Sequence, residues 1–413
     1  MIAPDLEVAV VGAGPAGIGT AVALERLDID YAVLERDVIG ASFRQWPAEM
    51  RLLTPSFPGN AFGARDLNAI TLDTSPALAL DCEHPTGDEY AEYLEAVADF
   101  HDVRVETGVD VECVVDHAGS EESADETADE EGTTGFTLET NTGPIRARFV
   151  IWAAGQCGYP ADGSIPGGDW GVHVASIDSW ADHADRVDGA DAIVVGGAES
   201  GIDAAIGLAI EGLAVTVLDD EGTWQYRSPD PSEVLSPRTN ERLARALEDE
   251  TVAPIELVAG ARVDRLECDR SASGSGSETG TESGPQTQES YVAVTTDGER
   301  YEATTPPILA TGFEGSLGLV AESFAFENDN DDCPLLTDRD ESTTTPGLFL
   351  VGPQVAHDGQ SFCFIYKFRQ RFAVVAETIG DRLGVDTDSL EEYREKRMFL
   401  EDLECCEPDY CDC

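Results

Sequence analysis

The sequence predicts an α/β fold of two like halves, the second inserted into the first, and three observations carry this. An apolar run, EVAVVG at residues 7–12, leads into the glycine-rich turn GAGPAG at 12–17, the helical pattern IGTAVALERL and a second apolar run ending at Glu35. The same order returns with AIVVGG at 192–197, GGAESG at 196–201, the helical pattern IDAAIGLAIEGL and the run AVTVLDD. A closing stretch at 346–380 supplies one more apolar strand, a turn at Gly352 and an apolar helix expected from about Ser361.

The first unit has the grammar of a dinucleotide site. Gly12 permits the tight turn, Gly14 lets backbone approach a pyrophosphate, and Gly17 lets the helix pack closely on the strand. Pro15 and Ala16 complete the turn, whose helix N-terminus faces the phosphates. Glu35, 23 residues after Gly12, is placed to bind a ribose diol, with Arg36 beside it. In the second unit the corresponding set is Gly196, Gly197, Ser200 and Gly201, with Asp219 at the same offset of 23 from Gly196. Ala198 stands where a second glycine is expected, and its methyl group pushes a pyrophosphate slightly away. Two such units mean two dinucleotides, or a duplicated fold with one silent copy.

The repetition continues downstream. FTLETNTGPIRARFVIWAAG, 136–155, and YVAVTTDGERYEATTPPILATG, 291–312, each read as short strands joined by a turn, then an apolar strand ending at Gly155 or Gly312. Glycines there let backbone approach a cofactor or the partner domain. Each stretch follows an acidic or Ser/Gly/Thr-rich tract, roughly 117–135 and 269–290, too polar to fold by itself. The expected organisation is therefore a discontinuous first domain, 1–160 and 307–398, a second domain at 161–306, and a cysteine-rich tail at 399–413.

Composition bounds the partners. The 413 residues are 42% hydrophobic and carry 82 acids against 25 bases, a formal charge of −57, which excludes nucleic acid and anionic membrane surfaces as partners. The only lysines are Lys367 and Lys396. Few lysines and many carboxylates resemble proteins of halophilic archaea. The N-terminus has no basic segment followed by an apolar one, and no apolar run reaches the roughly 18 residues of a spanning helix, so a cytoplasmic protein with reduced cysteines is expected. A homodimer is left open.

VVGAGPAG…LER, AAGQCGYP, VVGGAESGIDAA, ATGF and GLFLVGP, in this order, resemble the two-dinucleotide-binding-domain flavoproteins, which include thioredoxin-reductase-like enzymes and flavin-containing monooxygenases. The resemblance implies two Rossmann-like domains, FAD on the first and NADH or NADPH on the second. Residues 40–63, with Phe43 and Trp46 as candidates to cover the flavin ring, look more like the monooxygenases. There is no CxxC between the units as a thioredoxin reductase would carry; Cys157 is alone. His173 and Trp180 do not match the monooxygenase spacing. Where the family's closing motif has Gly-Asp, this chain has Gly352-Pro353, so that FAD contact falls to backbone or to Gln354. Asp219 and Asp220 favour NADH, because a carboxylate repels a 2′-phosphate; Arg227 and Arg238 could still serve one.

The implied activity begins with hydride transfer from nicotinamide to flavin. For the second half three readings stand. Oxygen accepts the electrons and one of its atoms is transferred to a small nucleophilic or carbonyl substrate, as in the monooxygenases. Alternatively the tail ECCEPDYCDC, with Cys405, Cys406, Cys411 and Cys413 in its last nine positions, works as a thiol, disulfide or metal(loid) reductase, as a C-terminal cysteine pair does in mercuric reductases. Cys363 is then the inner partner, its thiolate favoured by a helix N-terminus. In the third reading those four tail cysteines hold a soft metal, Zn, Cu(I) or a metalloid, and the chain is a redox sensor.

Overall fold

A computed structural model describes residues 5–58, 63–117, 135–161, 165–228, 231–272, 287–326, 333–357 and 359–403. Two compact units emerge, one of residues 1–44, 54–159 and 314–413, the other of 45–53 and 160–313. Tail residues 404–413, with Cys405, Cys406, Cys411 and Cys413, lie outside the described residues, as do most of the two polar tracts.

Unit 1 opens with β1 (Leu6–Val11), α1 (Pro15–Glu25) and β2 (Tyr31–Glu35). β1 is apolar along nearly its whole length because it is central: β2 lies parallel on one side and β6 (Ile145–Trp152) parallel on the other. α2 (Ala41–Arg44), α3 (Pro76–Leu80) and α4 (Gly87–Phe100) follow β2. Thr86 and Glu89 form a reciprocal capping box that starts α4. β3 (Val105–Thr107), β4 (Val111–Asp116) and β5 (Phe136–Thr140) complete a sheet of order β3-β2-β1-β6-β5-β4.

Unit 2 repeats the plan. β7 (Val172–His173), β8 (Asp191–Val195), β9 (Ala214–Asp219), β10 (Ile255–Ala259) and β14 (Ile308–Leu309) form a parallel sheet of order β10-β9-β8-β14-β7. An antiparallel meander of β11 (Val263–Ala272), β12 (Thr287–Thr295) and β13 (Arg300–Ala303) precedes the last of these strands. α5 (Trp180–Arg186), α6 (Glu199–Ile210) and α7 (Pro237–Glu248) are tied through one buried carboxylate: Asp203 on α6 accepts from Trp180 Nε1 at 3.1 Å and from the Arg242 guanidinium. The two halves are thus doubly wound α/β units, the class the motif order predicts.

The unit boundaries differ from the sequence expectation at residues 45–53, which pack with unit 2. Ala48 N–H donates to Asp178 O at 2.8 Å, Glu49 accepts from Ser179 Oγ at 2.7 Å and Trp180 N–H at 3.0 Å, and Met50 lies on that unit's core. Burial opposes ionisation of Glu49, but these hydrogen bonds outweigh it and hold the carboxyl below its usual range. Residues 307–313 likewise fall in unit 2, because Ile308 and Leu309 are sheet residues there.

The closing segment returns to unit 1. Strand Leu348–Leu350 pairs parallel with Val150–Trp152, while the first half of β6 pairs antiparallel with β5. The helix expected from about Ser361 starts at Ile365 instead. Residues 360–361 are engaged with 356–357 in a two-stranded ribbon, so their backbone groups are not free for a helix. Short α8 (Ile365–Phe368) passes through a 3₁₀ turn into α9 (Phe372–Leu383). The turn is locked by Arg371 and Asp340, both fully buried and 2.8 Å apart, with His357 Nε2 2.6 Å from Asp340. Removing the Asp340 charge would leave a buried guanidinium uncompensated, at a cost of about 3–5 kcal/mol.

Candidate functional site

Two glycine turns stand at the C-terminal ends of the central strands β1 and β8, where open α/β sheets bind ligands. Their backbone geometry coincides. Gly12 has φ +102° and Gly196 φ +98°, values that L side chains rarely adopt. A Cβ on Gly17 would stand 1.9 Å from Gly12 O, and one on Gly201 1.9 Å from Gly196 O, so each glycine is what lets its helix rest on its turn. Gly12 N–H donates to Leu34 O and Gly196 N–H to Leu218 O, each at 2.8 Å.

The strand-end acids match too. Glu35, 8% exposed, accepts from Ala13 N–H at 2.7 Å and Asp37 N–H at 2.9 Å. Asp219 accepts from Gly197 N–H at 2.6 Å, Gly222 N–H at 2.6 Å and Glu221 N–H at 3.1 Å. Backbone donors fix both carboxylates beside their turns, and two acceptor sites remain on Glu35 and one on Asp219 for ribose hydroxyls.

The surroundings diverge. α1 starts at Pro15 and Ala16 with no side-chain cap and no acid in its first turn, and a Cβ on Gly14 would meet nothing within 4 Å. That is open space before a helix N-terminus with unpaired N–H groups, a fit for a diphosphate. α6 carries Glu199 in its first turn, followed by Ser200. Burial pushes the Glu199 carboxyl up, while donors on Ser236 and Thr239 work the other way. Ala198 is exposed, so its methyl group is accommodated without strain. Trp224 Nε1 donates to Gly197 O at 2.9 Å, setting the indole against the second turn. The loop-end glycines also differ in company: Gly155 O accepts from Ser316 N–H, whereas Gly312 O accepts from Ala161 N–H and faces His173 Nε2 at 3.1 Å. With Nδ1 of His173 accepting from Ala175 N–H, Nε2 is the donor, so His173 holds the end of β14.

Other candidates take different places. Phe43 is 9% exposed with its ring 4.9 Å from that of Tyr90, which makes it a core residue of unit 1 rather than a ring cover. Trp46 belongs to the 45–53 segment of unit 2. Gly352, φ +122°, follows the closing strand, and the Gln354 amide lies against Gly315, where a Cβ would meet it at 2.2 Å. Cys363 is half-buried and precedes α8 by two residues, so no long helix starts at it. Arg36 reaches Tyr159, its guanidinium 5.1 Å from the ring centroid and donating to the hydroxyl at 3.2 Å.

Sequence reasoning missed Arg369. It is 5% exposed, donates to Asp66 O and to Ala69 O, and its Nε has no partner among the described residues. Burial lowers its pKa to about 10. A contact spanning some 300 residues leaves no local pattern; the only signal is the run of cations Lys367, Arg369 and Arg371 ahead of an apolar helix. Among the described residues no group of His, Cys, Asp and Glu is placed to hold a metal, and no helix is long and apolar enough to cross a membrane.

Residues 9–352 match the sequence profile of the family described as pyridine nucleotide-disulphide oxidoreductase. Among solved structures the chain is similar to the bacillithiol disulfide reductase of Staphylococcus aureus, with TM-score 0.65 and 18% identity over 92% of this chain and 99% of that one. It is similar to a flavin-containing monooxygenase from Stenotrophomonas maltophilia, with TM-score 0.61 and 15% identity over 92% and 100%. It is similar also to the thioredoxin reductase of Lactococcus lactis, with TM-score 0.60 and 17% identity over 91% and 98%.

Proposed function

The chain belongs to the pyridine nucleotide-disulphide oxidoreductase family, and on that premise we propose that it is an NAD(P)H-dependent flavoprotein with FAD on the first glycine turn and the nicotinamide nucleotide on the second. Family members use FAD and NAD(P)H. The observation that carries the assignment is the doubled site: two positive-φ turns, each with a strand-end carboxylate fixed by backbone donors of its own turn.

The first turn suits FAD because Gly14 leaves room, α1 offers uncapped donors, and Glu35 keeps acceptor capacity for ribose hydroxyls. Bound FAD would supply a hydride acceptor and a two-electron store. The chain's own residues hold and orient: Gly12 and Gly17 set the turn against α1, Glu35 receives the ribose, and Gly352 and Gln354 lie at the closing strand's end. On the second turn Asp219 receives the other ribose, and Asp220 adds a second negative charge beside it, paired at 3.2 Å with exposed Arg262. The Asp219 charge, held by backbone donors, opposes a 2′-phosphate and supports NADH over NADPH.

We take oxygen as the electron acceptor, with one of its atoms passing to a small nucleophilic or carbonyl substrate and the other leaving as water. Burial pushes the Cys157 thiol up to about 11, so it is protonated near neutral pH and a poor nucleophile. The density of cysteines at 405–413 favours a second reading, in which these thiols pass electrons to a disulfide or bind a soft metal. The test of the shared part is rapid mixing of the FAD-loaded protein with NADH or NADPH without oxygen, followed at the flavin absorption band. Bleaching by NADH at least about tenfold faster than by NADPH is expected; no bleaching by either would refute the function.

A further inference from the structure

Arg36 is exposed, yet among the described residues it has no carboxylate within ion-pairing distance, in a chain with 82 acids and with Glu35 and Asp37 as its neighbours. It turns instead to Tyr159, lying over the ring at 5.1 Å and donating to the hydroxyl at 3.2 Å. The two residues come from the loops after β2 and β6, the strands that flank β1 on either side. Between them stands Gly158. Its φ is not in the positive range, so its backbone does not call for glycine, but a Cβ there would meet Arg36 Nη2 at 2.6 Å. The absent side chain is what lets the guanidinium cross.

We propose that Arg36 and Tyr159, with Gly158 making room, form a clasp over the adenosine-diphosphate half of the dinucleotide on the first turn. This rests on the FAD assignment above and adds to it the residues that set how fast the dinucleotide leaves. One guanidinium face is covered by Tyr159, and the other, with its spare N–H donors, meets the adenine face or the diphosphate. At the second turn the corresponding position, after Asp219, holds not a cation but Asp220, paired with Arg262.

The experiment uses the full chain and measures release of FAD, and separately of FMN, which lacks the adenosine half, by recovery of flavin fluorescence. Wild type is compared with Arg36→Ala, Tyr159→Ala, Tyr159→Phe and Gly158→Ala. FAD release should quicken about five- to tenfold in Arg36→Ala, Tyr159→Ala and Gly158→Ala, and less in Tyr159→Phe, which keeps the ring. The double variant Arg36→Ala/Tyr159→Ala should be no faster than either single, because the pair acts as one. FMN release should not move. FAD release unchanged in Tyr159→Ala and Gly158→Ala would overturn the clasp while leaving the FAD assignment standing. Equal quickening of FMN would overturn it as well, pointing to general loosening of unit 1. A wild-type chain that takes up no FAD would refute the assignment and the clasp together.

Discussion

The two glycine turns share a backbone and differ in charge. Both have a central glycine near φ +100°, a helix glycine 1.9 Å from a carbonyl oxygen if it bore a Cβ, and an acid held by the turn's own amide. Around the first are Arg36 and a helix start free of acids. Around the second are Glu199, Asp220 and the Trp224 indole. The lesson is that backbone geometry makes a place for a diphosphate, while neighbouring charge sets how firmly the place is held.

The largest effects should come from breaking the shared geometry. Gly17→Ala and Gly201→Ala each force a methyl group into a carbonyl oxygen, at about 2–4 kcal/mol of local stability. Gly17→Ala should abolish FAD content. Gly201→Ala should leave FAD in place and slow its reduction by NADH at least about a hundredfold. Flavin absorbance and stopped-flow reduction separate the two, and loss of FAD from Gly201→Ala would break the pairing of one turn with one nucleotide.

A smaller effect lies in the carboxylates. Asp219→Asn removes the charge that opposes a 2′-phosphate, and the preference for NADH over NADPH should fall about tenfold in kcat/KM. Steady-state kinetics with both nucleotides would check this; an unchanged ratio would place the discrimination elsewhere.

Smaller again is Glu199. Its carboxyl is held by Ser236 and Thr239 at the start of α7, but the charge still lies in the first turn of α6, so Glu199→Gln should tighten NADH about two- to fivefold. Burial raises the carboxyl above its ordinary value, so protonation removes the charge at a pH where most carboxylates are still ionised. Wild-type NADH affinity should therefore rise as pH falls from neutral toward the usual carboxylate range, and Glu199→Gln should flatten that rise in a calorimetric titration. Last, Cys157→Ser should change NADH oxidation by less than about twofold, since the buried thiol takes no part.

Much of this is legible in the sequence. The paired offset of 23 residues from Gly12 to Glu35 and from Gly196 to Asp219 marked both turns, because local backbone chemistry writes itself into short spacings. Elements defined by distant partners were not legible. Phe43 has the sequence position of a ring cover, but its packing against Tyr90 of α4 is a contact that no local spacing encodes. The last helix looked continuous from Ser361 because the ribbon pairing that delays it leaves no periodic signal. Segment 45–53 read as part of the first domain because nothing local shows Glu49 capping a helix 130 residues away. Arg36 stood in the binding set by position alone, and its partner Tyr159 could not be found from spacing.

The most direct measurement is an anaerobic titration with NADH, counting reducing equivalents per FAD in the full chain and in a chain ending at Leu403. The account predicts about one NADH per FAD in both, with the flavin fully bleached, because the two turns hold the whole redox circuit. Uptake of about two NADH per FAD by the full chain, falling to about one without the tail, would contradict it. The four cysteines at 405–413 would then be the electron outlet, and the oxygen-dependent reading would fall.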